Sequence, residues 1–155
     1  MQLTRAADYA VRVMILLAGL PPGSRTSREE LAQAAQIPSH FLSKILQSLT
    51  RGGLIASYRG AAGGFSLLKR PDGLTMFEVI EVIEGPLWLN QCVDPGQGCA
   101  RQGWCAAHSL WVEAQDAVTR VLRSATLQDL AQRSATAAKD AKHPLCVLSG
   151  GAVWS

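Results

Sequence analysis

Between Ser27 and Leu68 the chain sets down a capping box, a proline break, an apolar helical stripe, a glycine pair and a glycine-tipped hairpin, in that order. Few architectures accept such a succession. In Ser27-Arg28-Glu29-Glu30 the serine and the glutamate three residues on can satisfy each other's free backbone donors, so a helix starts there and runs to about Ala35. Ile37-Pro38 ends it, because proline lacks an N–H and biases the preceding residue away from helical geometry. Ser39 is expected to cap a further helix to about Arg51, with Phe41, Leu42, Ile45, Leu46 and Leu49 as its inner stripe. Two short helices across a tight turn make a helix-turn-helix, whose second helix usually enters a DNA major groove. A plain helical hairpin with a solvated polar face would read the same over these residues alone.

The next stretch separates those readings. Gly52-Gly53 stops the helix, and Leu54 to Tyr58 pairs with Phe65 to Leu68 across the loop Arg59-Gly60-Ala61-Ala62-Gly63-Gly64, which predicts a wing. The residues expected to face DNA are Arg28, Ser39, His40, Ser43, Lys44, Gln47 and Arg51, with Arg59 and Gly60 at the base of the wing. Charge agrees: residues 1–73 carry nine Lys/Arg against four Asp/Glu, while residues 74–155 carry six against eight. A basic front half of this kind suits a polyanion, with affinity that falls as salt rises.

Helices flank this core motif. Thr4 caps a first helix to about Gly19, with Ala7, Ala10, Val11, Met14, Leu17 and Ala18 at helical spacing. Thr75 to Glu78 offers a second capping box, opening a helix with Phe77, Ile80 and Ile83 on one side and a stop at Gly85-Pro86. From about Ala106 a long helix runs to Arg123, with Trp111, Ala114, Val118 and Val121 on one seam and Leu110, Ala117 and Leu122 beside it. A one-sided helix of that length wants a partner, and a second copy of the chain is the economical one. Thr126 begins a short final helix to about Arg133.

Between Leu87 and Trp104 the helical pattern dissolves into Asn, Gln, Asp, Pro and Gly, and this loop opens the run C-x6-C-x5-C-x2-H formed by Cys92, Cys99, Cys105 and His108. Only one other cysteine, Cys146, exists in the chain. Clustered soft ligands argue for a metal or iron-sulfur centre rather than a disulfide frame. A zinc site of Cys3His type is the alternative, although the long gaps lack the C-x2-C knuckles common around zinc. Residues Val13 to Leu20 are far too short an apolar run for the ~20 residues of a membrane span. Met1 to Arg12 carries Arg5, Asp8 and Arg12 and has no apolar signal core, so no membrane partner and a cytoplasmic setting are expected. Gly60 to Gly64 is too short for a phosphate loop and lacks its lysine, and no acid, base or nucleophile set stands out, so an enzyme is not expected.

The expected architecture is therefore mainly α with a small β wing: a winged helix-turn-helix domain plus a long dimerisation helix. Residues 1–73 form the DNA-binding domain, 74–133 the cluster-binding loop and dimerisation helices, and 134–155 a C-terminal tail in which Cys146 and Trp154 are spectators.

Taken together, these stretches resemble the bacterial winged-helix iron-sulfur transcriptional regulators of the IscR, NsrR and RirA type. The resemblance is carried by Met1-Gln2-Leu3-Thr4 with Asp8-Tyr9-Ala10-Val11-Arg12, by Arg51-Gly52-Gly53-Leu54, by Arg59-Gly60 with Gly63-Gly64, and by the three-cysteine loop. It implies a homodimer on a double-stranded DNA operator, with Cys92, Cys99 and Cys105 as cluster ligands. It also leaves two fourth ligands in play. His108 resembles the histidine of cluster-assembly regulators with a 2Fe-2S centre, whereas Asp8 resembles the aspartate that nitric-oxide sensors supply across the dimer to a 4Fe-4S cluster. An oxygen donor leaves one iron weakly held, which suits a reactive centre and tips the expectation toward Asp8 and 4Fe-4S. Nitric oxide, redox state and iron status are the implied signals; a zinc-based or thiol-based regulator without a cluster is the alternative.

Overall fold

The computed structural model describes residues 3–140, so Cys146 and Trp154 lie outside the described residues. Helix α1 (Arg5–Ala18) starts where Thr4 Oγ1 accepts a hydrogen bond from the Ala7 N–H. Its buried residues are Ala7, Ala10, Val13, Met14, Leu17 and Ala18. The expected stripe lacked Val13 and included Val11, which is half-buried. The reason is that α1 is covered from several sides, so its buried surface is wider than a single stripe.

Helix α2 (Arg28–Ala35) carries the expected capping box: the Ser27 N–H donates to Glu30 Oε2 at 2.8 Å and the Glu30 N–H donates to Ser27 Oγ at 3.2 Å. Gln36 ends it in the left-handed region (φ 55°), and the Ile37 N–H donates back to the Ala32 carbonyl. Helix α3 (Ser39–Arg51) follows at once, and here two expectations need correction. Pro38, not Ser39, is the cap residue, because its carbonyl already accepts from the N–H groups of Phe41 and Leu42. Phe41 is 44% exposed rather than part of the inner stripe. Leu42, Ile45, Leu46 and Leu49 complete that stripe, and residue 41 sits about 100° around the helix from Leu42. Its ring lies instead against His40 and Tyr9, with centroids 4.4 and 6.1 Å away.

The wing is the antiparallel pair β1 (Ile55–Tyr58) and β2 (Gly64–Leu67), registered Ile55 to Leu67 and Tyr58 to Gly64. Leu54 and Leu68 fall just outside it, yet the Leu68 N–H still donates to the Leu54 carbonyl. Unforeseen in the sequence, Thr26 pairs with Phe65 in both directions, at 3.1 and 2.9 Å, and fastens the wing to the segment before α2. That contact explains Gly64: at φ 141° with a would-be Cβ only 2.8 Å from the Thr26 carbonyl oxygen, no side chain fits there.

Helix α4 (Met76–Glu84) has the expected Thr75–Glu78 capping box and buries Phe77, Val79 and Ile80, with Ile83 half-buried. Val79 faces the main core, while Phe77 and Ile80 close a smaller cluster with Leu87. After an irregular segment come α5 (Ala106–Ser124) and α6 (Leu127–Asp140). The last helix is longer than expected; Ala-rich sequence favours helix even without a broad apolar face, and Ala138 is buried. Helix α6 packs on α1 and, through the Leu127 N–H to the Leu74 carbonyl, on the start of α4's segment.

Among the described residues the protein is thus six α-helices and two one-turn 3-10 helices with one two-stranded sheet, the mainly α winged-helix architecture that was expected. The core centres on α1, covered by α2, α3, α4 and α6, with Met14, Leu31, Leu42, Leu49 and Ile55 almost fully buried. Burial of each such side chain contributes about 1.5–3 kcal/mol. Helix α5 stands apart: Gln115 is its one buried residue, and Leu110, Trp111 and Val121 are exposed. No helix among the described residues is long and apolar enough to cross a membrane.

Candidate nucleic-acid interface and thiol loop

Two regions hold the residues singled out from the sequence, apart from Asp8. The first is a groove of about 510 Å3 between α2, α3 and the wing, into which Arg28, Ser43, Gln47 and Arg51 project together with Ser57 and Phe65. The stripe of α3 that is buried fixes which face looks outward, so Gln47 and Arg51 share the groove with Ser43 at helical spacing. Ser39, His40 and Lys44 are exposed on the same helix, and Arg59 and Gly60 are exposed at the base of the wing, outside the groove's lining. Arg28 donates to Glu29 Oε1 at 2.9 Å, and this hydrogen bond, reinforced by the neighbouring charge, holds the Glu29 carboxyl below its ordinary range. Both side chains are open to solvent, so the pair contributes little to stability.

Sequence reading missed Arg25. Its guanidinium carbon lies 3.8 Å from the centroid of the Tyr58 ring, and Nη1 donates to the Ala62 carbonyl at 3.4 Å. Nothing periodic links residues 25, 58 and 62; only the Thr26–Phe65 pairing brings them together. A basic residue next to a strand-like threonine, opposite an aromatic residue in the wing, was the available signal.

The second region is the loop before α5. Cys92 sits in a one-turn 3-10 helix (Gln91–Val93), Cys99 is exposed, and Cys105 immediately precedes α5. All three are free thiols. The loop is a chain of tight turns: Asp94 Oδ1 accepts from the Gly96 N–H, the Cys99 carbonyl from Gln102, and the Arg101 carbonyl from Cys105 at 2.8 Å. Between it and α5 lies a cavity of about 380 Å3 lined by Cys92, Asp94, His108, Gln115 and Asp116 among others. The His108 Nδ1 is buried without a hydrogen-bond partner. Gln115 pins the start of the loop to α5, since its Oε1 accepts from the Leu89 N–H and its Nε2 donates to the Leu87 carbonyl, both at 2.8 Å.

This donor set fits an iron-sulfur cluster in kind: three thiols, one unpartnered imidazole nitrogen near Cys92, and a glycine-spaced loop able to close on a soft metal. It is not gathered in advance, for no group of three or more His, Cys, Asp or Glu among the described residues is placed to hold a metal ion. Asp8 lies elsewhere, exposed on α1 and paired with Arg12 at 2.7 Å. Above it, Thr4 donates from its N–H and its hydroxyl to Glu84 Oε1, which ties the start of α1 to the end of α4 just before the loop.

Comparison with known proteins places the fold and the chain's family. Residues 3–133 match the family model Rrf2, described as an iron-dependent transcriptional regulator. The chain is 34% identical over 131 residues to the transcriptional regulator CymR of Bacillus subtilis, spanning 84% of this chain and 90% of that one. It is 36% identical over 137 residues to the transcriptional regulator NsrR of Geobacillus kaustophilus, spanning 88% and 93%. The solved structure of B. subtilis CymR, titled the global cysteine regulator, superposes with a TM-score of 0.69 at 32% identity, covering 86% of this chain and 98% of that one.

Proposed function

Because the chain belongs to the Rrf2 family of iron-dependent transcriptional regulators, we propose that it is a cytoplasmic, homodimeric DNA-binding regulator, not an enzyme, whose operator affinity answers to an iron-sulfur cluster. One observation carries the DNA-binding half: Arg28, Ser43, Gln47 and Arg51 converge on a single groove between α2, α3 and the wing. Bases meet Ser43 and Gln47 there, with Lys44 beside them, while Arg28, Arg51 and Arg59 hold phosphates. The exposed Leu110, Trp111 and Val121 of α5 support dimerisation through that helix.

Cys92, Cys99 and Cys105 would hold the cluster. For the fourth donor, the buried and unpartnered His108 Nδ1 favours His108 within the chain; Asp8, supplied by a partner subunit, is the competing donor. When bound, such a cluster supplies an iron centre open to nitric oxide and to oxidants. The chain's own part is mechanical. Drawing the three thiolates together fixes the loop against the start of α5, and Gln115 carries that restraint to Leu87 and Leu89. Helix α4 adjoins this point and packs on α1 and α3, so loop order and recognition-helix position share one set of contacts. Sensing requires the ordered and released forms to differ in DNA affinity.

Iron and sulfide analysis with visible and Mössbauer spectra of anaerobically purified wild type, His108→Ala and Asp8→Ala tests the donor set. Iron and labile sulfide with a spectrum altered by His108→Ala supports the reading; zinc without iron overturns it. A second reading is a regulator whose free thiols act directly through reversible oxidation. Exposed Cys99 favours it, and it requires colourless protein whose DNA binding responds to peroxide or disulfides.

A further inference from the structure

A two-stranded hairpin is marginal in water, so the wing needs outside support to hold one attitude toward α3. Two adjacent residues ahead of α2 provide it. Thr26, buried, pairs with Phe65 on β2, while Arg25 reaches β1 through the Tyr58 ring and the wing tip through the Ala62 carbonyl. We propose that Arg25 is a wing-positioning residue for DNA recognition: lying over Tyr58 and bonded to Ala62, it sets the attitude of the hairpin that carries Arg59.

Arginine suits this place because a planar guanidinium can lie flat over an aromatic face and donate in its own plane, a geometry that the compact, tetrahedral ammonium of lysine lacks. Tyr58 directly precedes Arg59, so movement of its ring moves the phosphate-seeking residue beside it. The proposal rests on the reading that the helix-turn-helix and wing bind DNA.

The test is a double-mutant cycle on a duplex that the wild type enriches from random double-stranded DNA, titrated by fluorescence anisotropy over a salt series. Arg25→Ala and Tyr58→Leu should each weaken binding about threefold to tenfold, and the double variant should be no weaker than either single one. Arg25→Lys should not restore affinity, Tyr58→Phe should bind like the wild type, and Tyr58→Leu, which removes no charge, should lower the salt slope as much as Arg25→Ala does, because both displace Arg59. In the free protein, Arg25→Ala should speed hydrogen exchange at the Gly63 and Phe65 amides, which reports wing attitude without DNA. If Arg25 merely touches a phosphate, Arg25→Lys restores binding, Tyr58→Leu has no effect and Arg25→Ala alone lowers the salt slope by about one, and the proposal is overturned. Additive single effects overturn it too. A wild type that enriches no duplex overturns the DNA-binding reading itself, and the proposal with it.

Discussion

Replacing Gln115 by leucine removes both bonds that fasten the thiol loop to α5. Gln115 is 8% exposed, and its amide accepts from the Leu89 N–H and donates to the Leu87 carbonyl at 2.8 Å each. A buried backbone group left without its partner costs about 1–3 kcal/mol, so two would cost about 2–6 kcal/mol if both stayed dry. Peeling the loop from α5 lets water reach them and caps that cost, and a net loss of about 2 kcal/mol is expected. Urea unfolding at matched protein concentration measures the loss, and amide exchange at Leu89 should accelerate about 10- to 100-fold. Gln115→Glu keeps an acceptor for Leu89 but sets a buried carboxylate oxygen against the Leu87 carbonyl, so at neutral pH it should be no more stable than Gln115→Leu. Unchanged Leu89 exchange together with a stability change below about 0.5 kcal/mol would refute the claim that this side chain holds the loop.

Two further outcomes concern the DNA face. Gly64→Ala places a Cβ against the Thr26 carbonyl and forces a left-handed backbone on a side chain, so thermal unfolding should show a loss of about 1–3 kcal/mol and the Thr26–Phe65 exchange protection should collapse. Arg59→Ala should weaken operator binding uniformly and lower the salt slope by about one, read from a salt titration, whereas Gln47→Ala or Lys44→Ala should change base preference in a binding-site selection.

Much of the fold was legible because its signals are local. The Ser27 and Thr75 capping boxes act over three residues, and both form as expected. Helix α2 ended before Pro38 as foreseen, with Gln36 turning left-handed, and the Pro38 carbonyl began α3, which displaced Ser39 from the cap. Phe41 deceived because an apolar residue beside a stripe looks like part of it, and only the His40 and Tyr9 rings reveal where it goes. That Ser43, Gln47 and Arg51 would share the outward face of α3 was readable, since the buried face dictates the other. Arg25 was not, because its partners are brought to it by a tertiary pairing. At the thiol loop the donor types were plain in the sequence, but spacing alone sets no distance between them, and tight turns leave Cys92, Cys99 and Cys105 ungathered. Gln115 was overlooked for the same reason, as a polar residue in a helical seam gives no hint that it will clamp backbone 26 and 28 residues away.

The most direct test measures operator affinity of anaerobically prepared protein before and after its iron and sulfide are removed with a chelator, with Cys92→Ala as a third sample. Different affinities for the two wild-type forms, with Cys92→Ala matching the stripped one, are what a thiolate-held centre governing a winged-helix DNA reader requires. Identical binding by all three samples would contradict it.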